Sequence, residues 1–322
     1  MRLIWCPVTP HTAAKPEPVL SEILSVIAFV GPETLPLQVA SEQGFFADQR
    51  LDVQWTAATG SVDQMTRLMD GRCDIVMTAI DNVIAYVEGQ GAVIPDTSPD
   101  LVAFLGCASE PRPLVARPDI GTIADLRDQR IAVDALNTGF SFLLRHCLET
   151  AGLGRTDYDL VPVGAPPARW QAMESGDCVA ALLSKAYAET ATAGGYHELR
   201  PEPDPWKTYQ GGVFAARKSW LRDRPAVASG FIRAMLEATD WMLEPSQAPT
   251  LPDMLIRHLP HLSISGARAA ATALPTLLQP GLPISGDGLQ TVLALRQNYG
   301  KPATVLGDAN KYLDMRLYAE VT

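Results

Sequence analysis

The sequence predicts an α/β protein of two lobes, each built on a doubly wound, mostly parallel sheet, joined by two hinge strands. Three observations carry this. Strand-like runs alternate with helically spaced apolar runs over the first third of the chain, the order expected of a parallel sheet covered on both faces. The alternation starts again near Thr122 without repeating the earlier sequence. The chain also has 322 residues, 47% apolar and 19% charged, enough for two hydrophobic cores.

Residues 1–18, with Pro7, Pro10, Pro16 and Pro18, read as a polar, proline-rich arm. The apolar run 23–30 is a first strand, ended by Gly31-Pro32. Apolar residues at helical spacing over 35–46 give a helix that Gly44 closes. Over 51–56, Leu, Val and Trp alternate with Asp, Gln and Thr, which marks a strand. Gly60-Ser61 turns the chain and caps a helix over 62–69, stopped at Gly71. A strand at 73–78, a helix at 82–87 and a buried strand at 101–107 complete the first set. The second set has strands at 130–133, 159–163 and 178–183, with helices at 140–151 and 167–175. A returning strand at 209–216 leads into an amphipathic helix at 224–243, and the remainder is helical between prolines. Hinge strands fall near 113–116 and 212–216, so lobe 1 comprises 19–107 plus 212–322 and lobe 2 comprises 108–211.

A formal net charge of −10 disfavours nucleic acid as a partner, because phosphate binding needs a basic face. Cys6, Cys73, Cys107, Cys147 and Cys178 are scattered with no Cys-x-x-Cys pair, so neither a zinc site nor a redox motif is expected. Such cysteine usage fits a reducing compartment. No apolar run approaches the roughly 18 residues of a membrane span. Residues 1–18 lack the apolar core of a signal peptide, so no export signal is expected in the chain as written.

No Gly-x-Ser-x-Gly elbow, His-Glu-x-x-His pair or phosphate loop is present. His258 and His261 are three apart in a proline-bounded helix and read as structural or solvated. Cys73, Cys147 and Cys178 read as small core residues, while Cys107 lies near the crossover and is the cysteine placed to face a cleft. No catalytic residue, metal or cofactor is therefore expected. Binding chemistry is expected where helices start beyond the carboxyl ends of parallel strands, since free N–H groups and the helix dipole attract anions there. The candidates are Glu33, Thr34, Gly60, Ser61, Thr78, Asp81, Asn82, Asn137, Thr138 and Gly139. Ser61 and Thr138 serve equally as N-caps, and Asp81 reads first as the cap of the next helix. Arg169 and Lys185, near second-half strand–helix junctions, are the candidate cationic clamp, with a solvated surface charge as the plainer role for each. Trp170, Tyr187 and Tyr209 either wall an aromatic ligand or pack.

The segment Leu35-Pro-Leu-Gln-Val-Ala-Ser-Glu-Gln-Gly-Phe-Phe46, followed by Leu51-Asp52-Val53, resembles the opening of the nitrate/sulfonate/taurine group of substrate-binding proteins, which includes thiamine-pyrimidine-synthase-like members. Gly60-Ser61, Gly71-x-Cys-Asp-Ile75 and Asp81-Asn82 continue the match in order. Ile123-Ala-Asp-Leu126, Ile131-Ala-Val-Asp134, Thr138-Gly139, Arg169-x-x-Ala-Met173 and Gly176-Asp177 extend it into the second half. The resemblance implies a type II periplasmic-binding-protein fold closing on a small organic anion (a sulfonate, carboxylate or aromatic acid). It also implies a monomer in the periplasm that delivers this ligand to the membrane permease subunits of an ATP-driven importer. The alternative is a cytoplasmic enzyme on the same fold, of decarboxylase, lyase or cofactor-biosynthesis type. The cysteine-rich segment and histidine chemistry of the thiamine-pyrimidine branch are not found. Where sulfinate-desulfinase relatives place a nucleophilic cysteine after the first strand, this chain has Gly31-Pro32-Glu33-Thr34.

Overall fold

Alternate residues of each central strand enter different hydrophobic clusters, and that alternation makes the layers. Leu24, Val26 and Ala28 of strand β1 (Glu22–Ala28) pack into one cluster with Phe46, Phe231 and Met235, while Ile27 packs into another with Met65, Leu68 and Val83. A sheet buried on both faces in this way needs helices on both sides. The structure is a computed structural model and describes residues 21–95, 98–108, 112–202, 204, 208–260 and 262–322. The arm expected at 1–18, Cys6 and His261 lie outside the described residues.

The first lobe begins with β1, α1 (Leu35–Glu42), α2 (Phe45–Asp48), β2 (Leu51–Ala57), α3 (Ser61–Met69), β3 (Ile75–Ala79), α4 (Ile80–Val87) and β4 (Leu101–Gly106). The chain then forms β5 (Leu114–Ala116), β6 (Arg130–Val133), α5 (Gly139–Thr150), β7 (Asp159–Pro162), α6 (Pro166–Glu174), β8 (Ala180–Leu182), α7 (Lys185–Ala193) and β9 (His197–Leu199). It returns as β10 (Gly212–Arg217), followed by α8 (Lys218–Asp223), α9 (Pro225–Leu243), α10 (Leu251–His258), α11 (Ile264–Leu277), α12 (Gly286–Tyr299) and α13 (Arg316–Val321).

Two five-stranded sheets result, ordered β2-β1-β3-β10-β4 and β7-β6-β8-β5-β9. β1 runs parallel to β2 and β3, and β6 runs parallel to β7 and β8. The antiparallel members are β10, between β3 and β4, and β5, between β8 and β9. These are the first strands laid down after each crossing between sheets. This is the two-lobed architecture that the alternation predicts, with its two crossings, and it agrees with the fold that the family resemblance implies.

Gly44, at φ +83°, ends α1 as expected. β9, α7 and α8 are additional to the elements expected from the sequence. A small fifth cluster of Phe142, Leu143, Leu295 and Tyr299 fills the contact between α5 of the second sheet and α12 of the first. Among the described residues, no helix is long and apolar enough to cross a membrane.

Candidate functional site

Parallel pairing sets Ala28 opposite Ala57 and opposite Met77, so the carboxyl ends of β1, β2 and β3 share one edge of the first sheet. The turns into α1, α3 and α4 therefore stand side by side. In the second sheet, Val133 pairs with Pro162, and β8 runs parallel on the other side of β6. That brings the starts of α5, α6 and α7 to one edge as well. The two edges meet at α4 and α5, where the backbone N–H of Gly139 donates to Asp81 Oδ2 at 2.7 Å.

Asp81 is 2% exposed and is the second residue of α4, so it does not cap that helix; Ala79 holds the cap position. The cap role favoured for it from sequence is corrected. Its carboxylate instead receives Arg296 of α12 in a two-pronged pair, Nε to Oδ1 at 2.6 Å and Nη2 to Oδ2 at 2.7 Å. Arg296, 1% exposed, also donates to Gln90 Oε1 and to the carbonyl of Asn137, and lies 5.0 Å over the Phe142 ring. Burial, with the charge of Asp81 beside it, raises the phenol of Tyr209 well above its ordinary range.

The other candidates divide by what already holds them. Thr34 is buried, with its hydroxyl donating to Gly31 O at 2.7 Å inside its own turn. Thr78 is buried and its hydroxyl accepts from Asn82 Nδ2 at 2.9 Å. Thr138 is the N-cap of α5, accepting from Ser141 N while donating to Asp134 Oδ1. Ser61 is the first residue of α3 rather than its cap, a position that Gly60 takes in extended backbone (φ 175°). A carbon added to Gly60 meets nothing within 4 Å, so that turn is open. Glu33 approaches Arg112 at 3.9 Å, and the Arg112 guanidinium lies 5.5 Å from the centre of the Phe140 ring. Lys185 opens α7 and is half-buried.

Arg169 is different from all of these. It lies in the first turns of α6, beyond β7, and only 4% of it is exposed, yet Nε and Nη1 have no hydrogen-bond partner among the described residues. Burial pushes its pKa down to about 10, Asp134 pulling it back up and Arg112 adding to the fall. It therefore stays charged at neutral pH. A buried cation with idle donors is costly unless something anionic completes it.

A model of the NMT1-like family matches residues 26–255. The chain belongs to the NMT1-like family. Among curated proteins there is no match to it. Among solved structures, the periplasmic nitrate-binding protein NrtA from Synechocystis aligns with a TM-score of 0.75 at 12% identity, covering 94% of this chain and 88% of that one. The periplasmic aliphatic sulphonate binding protein SsuA from Escherichia coli gives 0.69 at 18% identity, covering 92% and 99%. The desulfurization enzyme DSZB gives 0.63 at 17%, covering 92% and 98%. At these identities the likeness is one of fold. The family match agrees with the resemblance carried by residues 35–82.

Among the described residues of this NMT1-like protein, burial holds the cysteines in their thiol form. Burial raises Cys73 to about 11 and Cys147 to about 12, and it raises Cys178 as well. Cys107, half-buried at the end of β4, is pushed up by burial and then by the charge of Glu33. His258 pairs with Glu42 at 2.6 Å on the surface of lobe 1, a structural use. Trp170 packs edge-on against Tyr196 at 5.1 Å, Tyr187 packs on the second-sheet cluster, and Tyr209 lies 5.9 Å from Phe140 beside Asp81.

Arg112 and Arg296 are absent from the sequence-derived candidates. Arg296 left a signal: it continues the stripe Leu289, Val292, Leu293, Tyr299, all buried in the structure. An arginine on the apolar face of a helix needs a buried acidic partner. Arg112 lies between two prolines and leaves no such signal.

Proposed function

We propose that the protein is a substrate-binding protein that captures a small organic anion between its lobes and passes it to the membrane permease subunits of an ATP-driven importer. In this reading, lobe 1 comprises residues 19–107 and 212–322, lobe 2 comprises 108–211, and the protein works as a periplasmic monomer. The observation that carries it is the buried, under-bonded guanidinium of Arg169 at the inter-sheet edge. A carboxylate or sulfonate supplies the missing acceptors, and charge-assisted bonds of that kind are the strong ones. Lys185 at the start of α7 and the open Gly60–Ser61 turn at the start of α3 extend the site to both lobes.

The surroundings favour an organic anion over an inorganic one. Phe29 and Val30 after β1, Val62 in the first turn of α3 and Leu136 before α5 are large apolar residues left exposed on the strand-end turns. Such residues cover the apolar body of a ligand while a few polar groups fix its charged end. Binding is non-catalytic in this reading. Thermal stabilisation across alkyl and aryl sulfonates, aromatic acids and dicarboxylates tests it. At least one member is expected to raise Tm saturably while remaining chemically intact. No shift with any of them, alongside turnover of one, would overturn the proposal.

A further inference from the structure

The start of a helix at an inter-lobe edge is a ready anion seat, and in α5 that seat is already filled from within. Gly139 is the first residue of α5, so its N–H has no partner inside the helix. Asp81 of the other lobe accepts it. The fit is close: a carbon added to Gly139 comes within 2.2 Å of the Tyr209 hydroxyl and 2.7 Å of Asp81 Cγ. Arg296 balances the carboxylate and reaches on to the carbonyl of Asn137, so it touches both lobes through one guanidinium.

This polar centre is enclosed. Phe142 stacks on Tyr299 at 5.8 Å, and Tyr299 donates to Glu149 Oε2 at 2.6 Å, again between α12 and α5. Parting the lobes here breaks the hydrogen bonds of Asp81 to Gly139, Arg296 to Asn137 and Tyr299 to Glu149, and exposes the Phe142, Leu143, Leu295, Tyr299 cluster. Among the described residues nothing comparable holds Arg169, whose Nε and Nη1 lack hydrogen-bond partners there. The two halves of the inter-lobe edge thus differ: one is complete without ligand, the other incomplete.

We propose that Asp81 is a resident anion that fills the α5 seat, denies it to any ligand and, through Arg296, ties the two lobes together along the α5–α12 side in the ligand-free protein. Lobe motion then pivots about α5–α12 and opens on the Arg169 side. The role goes beyond ligand capture and needs no ligand of the class proposed above, so a failure of either reading leaves the other standing.

Two measurements on the full chain test it. The first is amide hydrogen exchange of the ligand-free wild type. The Gly139 N–H lacks a helical partner, so its protection reports on Asp81 alone. It is expected to exchange as slowly as amides at the centre of β1; exchange at the rate of an exposed loop overturns the proposal. The second is chemical rescue of Asp81→Ala with sodium formate. The variant is expected to lose thermal stability and regain it saturably with formate, while wild type in formate, and the variant in sodium chloride of equal ionic strength, do not respond. A folded variant with no formate-specific gain overturns the proposal. If Asp81→Ala does not fold, the Gly139 exchange rate decides alone.

Discussion

Two buried arginines at one inter-lobe edge behave in opposite ways because one is fully matched by a carboxylate and the other has two nitrogens without a hydrogen-bond partner among the described residues. Arg296 is matched by Asp81 in a two-pronged pair with both residues essentially out of water. Removing one member of such a pair leaves the other charge buried and uncompensated, at a cost of about 3–5 kcal/mol. Asp81→Leu or Arg296→Met alone is therefore expected to lower unfolding stability by roughly that amount in urea titrations. The double variant, which buries no charge, is expected to lose less than either single one, a coupling that a double-mutant cycle reads directly. Arg169 predicts the reverse. Its guanidinium is confined with no acceptors on Nε and Nη1 among the described residues, so Arg169→Met is expected to leave the ligand-free protein as stable as wild type or more so. Equilibrium unfolding without ligand checks this, and a loss of several kcal/mol would contradict it.

At the scale of the element, the start of α5 shows how a helix terminus is shaped by what faces it. Thr138 caps the helix conventionally, so Thr138→Ala is expected to cost about 1 kcal/mol. Gly139 is constrained from outside the helix, by Tyr209 and Asp81. Gly139→Ala is expected to cost more than the cap variant, about 1–3 kcal/mol from forced displacement of packed neighbours. Gly60→Ala, with nothing within 4 Å of the new carbon and extended backbone, is expected to fold as wild type. Thermal unfolding of the three side by side tests the order. The helices and strands with strong periodicity were legible from the residues, α9 and β2 among them. α7 was not, because Lys-Ala-Tyr-Ala-Glu-Thr-Ala-Thr-Ala offers almost no large apolar stripe. β9 is three residues long, too short for an alternation to show. Pro275 suggested a break, yet α11 runs through it from Ile264 to Leu277.

At the scale of the molecule, the alternation of strands and helices carried the two-lobed fold, since few topologies bury so many parallel strands. The same alternation located the strand-end turns, and with them Arg169. It could not assign partners distant in the chain. Asp81 and Arg296, both of lobe 1, are 215 positions apart, Gly139 is 58 positions from Asp81, and no local pattern tells a carboxylate that caps its own helix from one held by such partners. For that reason Asp81 read first as a cap, and nothing local to Asn137 and Gly139 showed that the Asn137 carbonyl accepts from Arg296 and the Gly139 N–H donates to Asp81. The half of the edge whose nitrogens lack partners among the described residues is the Arg169 half, and the proposed ligand capture rests on it. Titration calorimetry of wild type and Arg169→Met with alkyl and aryl sulfonates and carboxylates tests this most directly. Wild type is expected to bind at least one of them one-to-one, and the variant, folded and at least as stable, to bind it about 10- to 100-fold more weakly, as loss of a charge-assisted hydrogen bond implies. Equal affinity in the two proteins would contradict the assignment of Arg169 as the anion's partner.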